Sequence, residues 1–556
     1  MTPHEGGGRV VQASVIQFIQ QGSPEQTRRL LYLVGISGLA NIALIVLINA
    51  AAAQVALVGV ASTKLQMLYA IGFALFVVSY KASLTLANQV LQTQLENLRE
   101  RIVNRIRLAP LRSIERLGAG ELHGALARGA DQLSQNFSTL VGAAQGGLLL
   151  IFCIVYIGAI SFSAAVIVAL ATAGALWIFF KRRLRLMESL AGIYEQEATM
   201  LDSLTHFSAG FQELRVNRQK SDSLFRRFTS IVDELEVRVR GVGGQWTGLM
   251  MFGNAYLYSL LGIVVFVLPM FFHGYPQEIY KIAATAIFAV GPVTAIIMAT
   301  PIYFNANAEL ERMYALERKV NDATAPEDTG NLTARFADFE TIRTEGLTYA
   351  YRDTGIEDPF TLGPIDVEIK RGQIVFFCGA NGGGKSTLIK LLVGLYAPDA
   401  GLLRVDSRAV GHRNLADYRS LFAAIFPDLH LFPALHGIDT VDEANAQSLL
   451  ERMHLQDKVR IVNHGFSTTE LSTGQRKRLA MIAALLEDKP VYVFDEWAAD
   501  QDVHFRHVFY HEILPQLKQQ GKTVLAVTHD ERYWDACDVR YRLDLGRLTL
   551  EKGAEG

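Results

Sequence analysis

Charge is what the first three hundred residues have least of. Asp, Glu, Lys and Arg make up 19% of the 556 residues, while half of the chain is hydrophobic, against a usual charged share of ~25%. The deficit is confined to the part before about residue 310; beyond it charge is ordinary. The formal net charge of −2 leaves no basic excess, so no nucleic-acid partner is expected. Cysteine is scarce too. Cys153, Cys378 and Cys537 lie far apart without metal-type spacing, which excludes a zinc site or a disulfide framework and suits a reducing cytosol. No cleavable signal peptide is expected, because the first apolar run starts late and is too long.

What fills the charge-poor half is a set of long apolar runs. After Arg28-Arg29 no charge occurs until Lys64, which is ample for one membrane-spanning helix, since roughly 20 apolar residues cross a bilayer. Further spans are expected over 65–90, 139–160, 162–181, 247–272 and 282–304, six in all. Soluble cores do not keep such runs. Residues 9–20 read either as a short amphipathic helix at the membrane surface or as a loosely ordered tail. The two long connections, about 91–138 and 182–246, carry arginines such as Arg99, Arg101, Arg112, Arg215 and Arg226, whereas the short ones hold almost no basic residues. By the positive-inside bias the long connections and both termini face the cytoplasm. Their helical pattern continues the spans outward, and breaks near Ala109-Pro110-Leu111 and Ser208-Ala209-Gly210 mark tips expected to dock on the charge-rich C-terminal part of the chain. Among the few polar residues of the spans, Asn254, Tyr256, Tyr258, Asn305 and Asn307 either line a cavity or pair between helices.

The expected divisions are an N-terminal interfacial segment (1–28), a spanning domain (29–317), a polar, turn-rich linker (318–339) and an α/β domain with a mostly parallel sheet (340–556). That last domain opens its functional sequence with Gly379-Ala380-Asn381-Gly382-Gly383-Gly384-Lys385-Ser386-Thr387, between the apolar run 374–378 and a helical pattern. Strand, glycine loop and helix is the context a phosphate-binding loop needs: backbone N–H groups turn inward, Lys385 reaches the terminal phosphates and Ser386 ligates Mg²⁺. Of Tyr349 and Tyr351, Tyr351 is the better spaced to stack on an adenine ring; the alternative is simple strand alternation, with one packed and the other exposed. Leu471-Ser472-Thr473-Gly474-Gln475 precedes a helix and can grip a γ-phosphate. Val491–Glu496 is a buried strand ending in two carboxylates, Asp495 for Mg²⁺ and Glu496 to polarise an attacking water. His529 follows the strand 523–527 and falls near the phosphates.

Together these elements resemble the ATP-binding cassette family: Walker A at 379–387, signature at 471–475, Walker B at 491–496 and the switch histidine at 529. With the six spans, the chain is similar to exporter-type half-transporters. The resemblance implies a six-helix α transmembrane domain fused to an α/β P-loop nucleotide-binding domain, ATP and Mg²⁺ as cofactors, and a bacterial inner-membrane location. It implies head-to-tail pairing with a second copy, so that each ATP lies between Walker A of one and the signature of the other. Asp502 aligns with the D-loop aspartate, and Asp495-Glu496-Trp497-Ala498-Ala499-Asp500-Gln501-Asp502 departs from the common D-E-A-T-S-A-L-D. In that departure, and in Gln212–Asn217, the chain is similar to exporters of cyclic and siderophore peptides, of the pyoverdine and syringomycin type. Pro427 stands where the Q-loop glutamine is usual, so its Mg²⁺ contact is either lost or taken by Asp428. The expected cargo is a peptide-like or amphipathic molecule; the alternatives are a lipid or lipopeptide flippase on the same scaffold and an ATP-gated regulator that transports nothing. No leader-cleaving peptidase module precedes the first span, so that activity is not expected.

Overall fold

The computed structural model describes residues 15–20, 22–123, 126, 129–267, 270, 276–323, 335–352 and 360–553. They fall into two compact units, residues 1–103 with 119–318 and residues 104–118 with 319–556.

The helices come first, and of them residues 104–118 and 319–323 belong to the second unit. α1 (Val15–Gln20) is followed by α2 (Pro24–Val58), α3 (Thr63–Leu108), α4 (Leu111–His123), α5 (Gly129–Ile160), α6 (Phe162–Ala209), α7 (Phe211–Val216), α8 (Arg218–Gly262) and α9 (Pro276–Ala323). Pro24 opens α2 where a missing N–H costs nothing, and Gly59 closes it in the left-handed region. At ~1.5 Å per residue, α3, with its 46 residues, is roughly 70 Å long, about twice the hydrocarbon thickness it has to cross. The same holds for α6, α8 and α9, so spans and connections are single helices, as the continuing pattern led us to expect. The breaks fall at Ala109-Pro110 and at Gly210.

Among the described residues, five helices are long and apolar enough to cross a membrane. The expected span at 247–272 falls on α8 and the π-helical turn Ile263–Val267; residues 268–269 and 271–275 lie outside the described residues, and the apolar stretch described there is Tyr258–Val267. Of the expected surface helix, 15–20 is helical with Val15 and Phe18 buried, Val15 N–H donating to Asn307 Oδ1 at 2.9 Å and Phe18 set edge-on to Tyr314; residues 9–14 lie outside the described residues. Tyr256 pairs with Thr172 through their hydroxyls at 2.6 Å, so both it and Asn307 join helices. α9 runs on to Ala323, and 324–334 lie outside the described residues.

The second unit is the α/β domain. β1 (Thr341–Ala350), β2 (Thr361–Lys370), β4 (Ala400–Val405) and β5 (Arg408–Ala409) make an antiparallel sheet in the order β2-β1-β4-β5. The larger sheet has the order β12-β11-β3-β10-β9-β6, with β3 at Ile374–Cys378, β6 at Phe422–Ile425, β9 at Val491–Asp495, β10 at Thr523–Val527, β11 at Val539–Asp544 and β12 at Arg547–Lys552. All its pairings are parallel except β11 with β12. Strand periodicity divides its apolar side chains between two cores. Phe376, Tyr492, Phe494 and Ala526 pack on one face with the helix Thr473–Leu486; Val375, Phe377, Val493 and Leu525 pack on the other with the helix Lys385–Leu392. The carboxyl ends of β3, β9, β10 and β6 therefore lie along one edge, the usual place for a ligand in an open parallel sheet.

Candidate functional site

The phosphate-type loop leaves β3 at that edge. Gly379 has φ +133°, and a Cβ there would sit 2.1 Å from the carbonyl oxygen of Leu543, so only glycine fits. Gly382 and Gly384 also have positive φ, and Asn381 and Gly382 are exposed. Lys385 is buried, its ammonium donating to the carbonyls of Gly379 at 3.1 Å and Ala380 at 2.8 Å. Burial lowers its pKa, opposed by the nearby charges of Glu496 and Asp495.

Asp495 ends β9, 1% exposed, and neither carboxylate oxygen receives a hydrogen bond of normal geometry. Burial pushes its carboxyl up, with the Ser386 hydroxyl pulling the other way. A buried carboxylate whose oxygens make no hydrogen bond of normal geometry, beside a hydroxyl and a lysine, is a donor set that fits a hard divalent cation such as Mg²⁺. Glu496 comes next in a left-handed conformation (φ +53°), its Oε1 2.9 Å from Nε2 of His529. The two come from neighbouring strands, because Asp495 on β9 pairs with Val527 on β10. A cavity of about 250 Å³ opens there, lined by Glu496, His529, Asp530, Arg506 and Arg532.

Tyr351 is half-buried, its hydroxyl 2.9 Å from Thr387 Oγ1; Tyr349 is buried beneath, edge-on to Tyr351 and stacked on Tyr396 at 5.0 Å. Leu471 is half-buried and Ser472 and Thr473 are exposed at the start of the helix 473–486, with Ser472 N–H donating to Gln475 Oε1 at 3.3 Å. Gly474 packs so closely that a Cβ would lie 2.9 Å from the Asp500 carbonyl oxygen. Asp502 accepts from Phe505 N–H at 2.9 Å, capping the helix Val503–Val508. Asp428 is exposed on the loop leaving β6, whose Ile425 pairs with Phe494.

Sequence reasoning missed two groups. The segment 104–118 packs within the second unit: Glu115 accepts from Lys390 Nζ at 2.9 Å and from the Tyr396 hydroxyl at 2.7 Å, and the Arg112 guanidinium lies 4.6 Å from the centre of the Tyr351 ring. The break expected near Ala109-Pro110-Leu111 lies within this segment. Lys477, buried in the helix 473–486, ion-pairs with Asp500 at 2.7 Å. The unusual residues at 497–501 were its available signal.

The family described as ABC transporter matches residues 362–499, which hold the loop, the signature and the paired carboxylates. The ATP-binding protein SyrD of Pseudomonas syringae pv. syringae is 32% identical over 81% of this chain and 83% of its own. An ATP-dependent lipid A-core flippase of Vibrio vulnificus is 27% identical over 47% of this chain and 46% of its own. A bacterial Atm1-family ABC exporter solved with ATP bound superposes with a TM-score of 0.77 at 16% identity, over 96% of this chain and 95% of that one. The chain belongs to the ABC transporter family, as an exporter-type membrane protein whose ATPase is coupled to transport.

Proposed function

We propose that two copies of the chain pair head to tail in the inner membrane and export a cyclic or modified peptide, a peptide-siderophore precursor or a similar secondary metabolite. The observation that carries the ATPase part is the Glu496–His529 contact beside the buried Asp495 carboxylate. In this reading residues 379–387 of one copy and 471–475 of the other enclose each ATP, with Tyr351 against the adenine and Asp502 at the junction. Ser386 and Asp495, with Asp428 in place of the missing glutamine, would hold Mg²⁺, which would supply neutralisation of charge on the phosphates. Glu496 takes the proton of the attacking water, and His529 holds that carboxylate in place. Lys385 leaves its loop carbonyls for the phosphate oxygens. The cytoplasmic helical tips carry closure to the spans.

The cargo part is supported by the extent of the match to SyrD together with the Asp495–Asp502 departure. A second reading, a lipid or lipopeptide flippase, is favoured by an apolar cavity of about 600 Å³ in the helical unit, lined by Ile19, Leu31, Phe137, Val141, Phe180 and Phe304, and by the flippase relatives. ATPase stimulation of the reconstituted protein across cyclic peptides, linear peptides and lipids separates them. Stimulation by cyclic peptides supports the first reading; stimulation by lipid alone replaces it with the second.

A further inference from the structure

Residues 497–501 read W-A-A-D-Q where the common pattern has A-T-S-A-L. Three of the five are large or polar, and all three reach the same short stretch of the signature helix. Trp497, buried, donates from Nε1 to the Lys477 carbonyl at 2.8 Å. Asp500 Oδ2 lies 2.7 Å from Lys477 Nζ. Gln501, 4% exposed, donates from Nε2 to the Gly474 carbonyl at 3.1 Å. The Lys477 ammonium closes the ring by donating to the carbonyl of Glu496 at 3.0 Å. A buried ammonium is unfavourable unless its hydrogens are matched, and here Asp500 and that carbonyl match two of them.

The carbonyl it holds belongs to the residue with the strained backbone. Glu496 has φ +53° and ψ +33°, a region unfavourable for a residue with a Cβ. Strained backbone persists where surrounding bonds over-determine it. Here the bonds are Glu496 N–H to the Val527 carbonyl, Ala499 N–H to the Glu496 carbonyl, and the Lys477 ammonium. Of these three, the ammonium is the one that ties the Glu496 backbone to the helix capped by Ser472.

We propose that Lys477, clasped by Asp500 and joined by Trp497 and Gln501, is a positioning residue that holds Glu496 in register with the signature helix for hydrolysis. Glu496 and Ser472 of one copy serve different ATP sites when copies pair head to tail. The clasp therefore links the grip on one nucleotide to the base at the other. The proposal rests on Glu496 being the hydrolytic base.

The test is steady-state ATPase of the full-length protein in lipid, reading kcat and KM separately, for Lys477→Met, Lys477→Arg, Asp500→Ala, the Lys477→Met/Asp500→Ala pair and Glu496→Gln as control. Glu496→Gln examines the base assignment by itself; retained hydrolysis there sinks that reading before the clasp is reached. With that control inactive, Lys477→Met and Asp500→Ala each lower kcat about tenfold at unchanged KM, the signature of an interaction used only in the transition state. Lys477→Arg keeps most of kcat, and the paired variant is no slower than the slower single one, because both changes break the same clasp. Unchanged kcat with a lowered melting temperature, or losses that multiply in the pair, overturns the proposal. Should Lys477→Met fail to fold, Asp500→Ala decides, since alanine is the common residue at that position: a kcat loss at constant KM supports the clasp and an unchanged kcat overturns it.

Discussion

Glu496 shows what a single side chain is asked to do here. Its carboxylate hydrogen-bonds His529, and in the proposed mechanism it acts on the attacking water rather than on the nucleotide. Glu496→Gln is expected to lower kcat by about 10²–10⁴, the usual worth of a positioned general base, while ATP affinity measured by equilibrium binding stays within twofold. Glu115 gives a prediction in pH. Burial alone raises its pKa, but the hydrogen bonds from Lys390 and Tyr396 and the charges of Lys390 and Arg112 bring it below the ordinary carboxylate value. A carboxyl whose folded-state pKa is depressed contributes fully above its unfolded value and loses that contribution as pH falls through the lowered one. Melting of the full-length protein should therefore fall more steeply on acidification in the parent than in Glu115→Gln. The difference at neutral pH should be about 1 kcal/mol or less, because the pair is partly exposed.

At the scale of elements, the glycine loop is the least tolerant. Alanine at Gly379 meets both a φ of +133° and the Leu543 carbonyl oxygen, and should cost about 2–4 kcal/mol in the stability of the α/β domain, read by thermal melting, with loss of ATP binding. At Gly384 a Cβ meets the Phe360 ring tip at 2.9 Å, which can shift, so Gly384→Ala should cost less. These elements were legible in the sequence because their signals are local. The runs 374–378, 491–495 and 523–527 are apolar and short and end in chemistry, and the structure makes each a strand. The charge-free runs likewise announced α2, α5 and α6. What stayed hidden are pairings between residues distant in sequence. Glu115 and Lys390 are 275 positions apart, and neither residue type hints at the other. Lys477 looks like one member of a basic triplet at the surface; it is buried where the helix 473–486 packs against the turn 497–500. Nor did the position of Tyr351 hint that an arginine from the segment 104–118 lies against its ring.

For the whole molecule, transport requires that nucleotide chemistry in the α/β domain change the state of the helical domain. Moving a two-state pathway from 1:99 to 99:1 takes about 5.5 kcal/mol of differential binding. Two ATP sites, each with several charge-assisted hydrogen bonds, are of the right size to supply it. Under the proposed head-to-tail pairing, a chain that carries the glycine loop, the signature, Glu496 and His529 together would complete both sites by itself, so one purified polypeptide should hydrolyse ATP in lipid, with activity rising with the square of its concentration where pairing is incomplete. The decisive measurement is complementation between differently tagged copies. One copy carries Lys385→Ala and the other Ser472→Ala, both in the Glu496→Gln background, and nucleotide retained by the doubly purified mixed pair is counted. A site shared by two copies leaves one intact site in the mixed pair and none in either uniform pair. The expected result is therefore about one trapped nucleotide per mixed pair, half the count for copies with both residues intact. No trapping in the mixed pair, or trapping by uniform Ser472→Ala copies equal to that of intact ones, would contradict a pocket built from two copies.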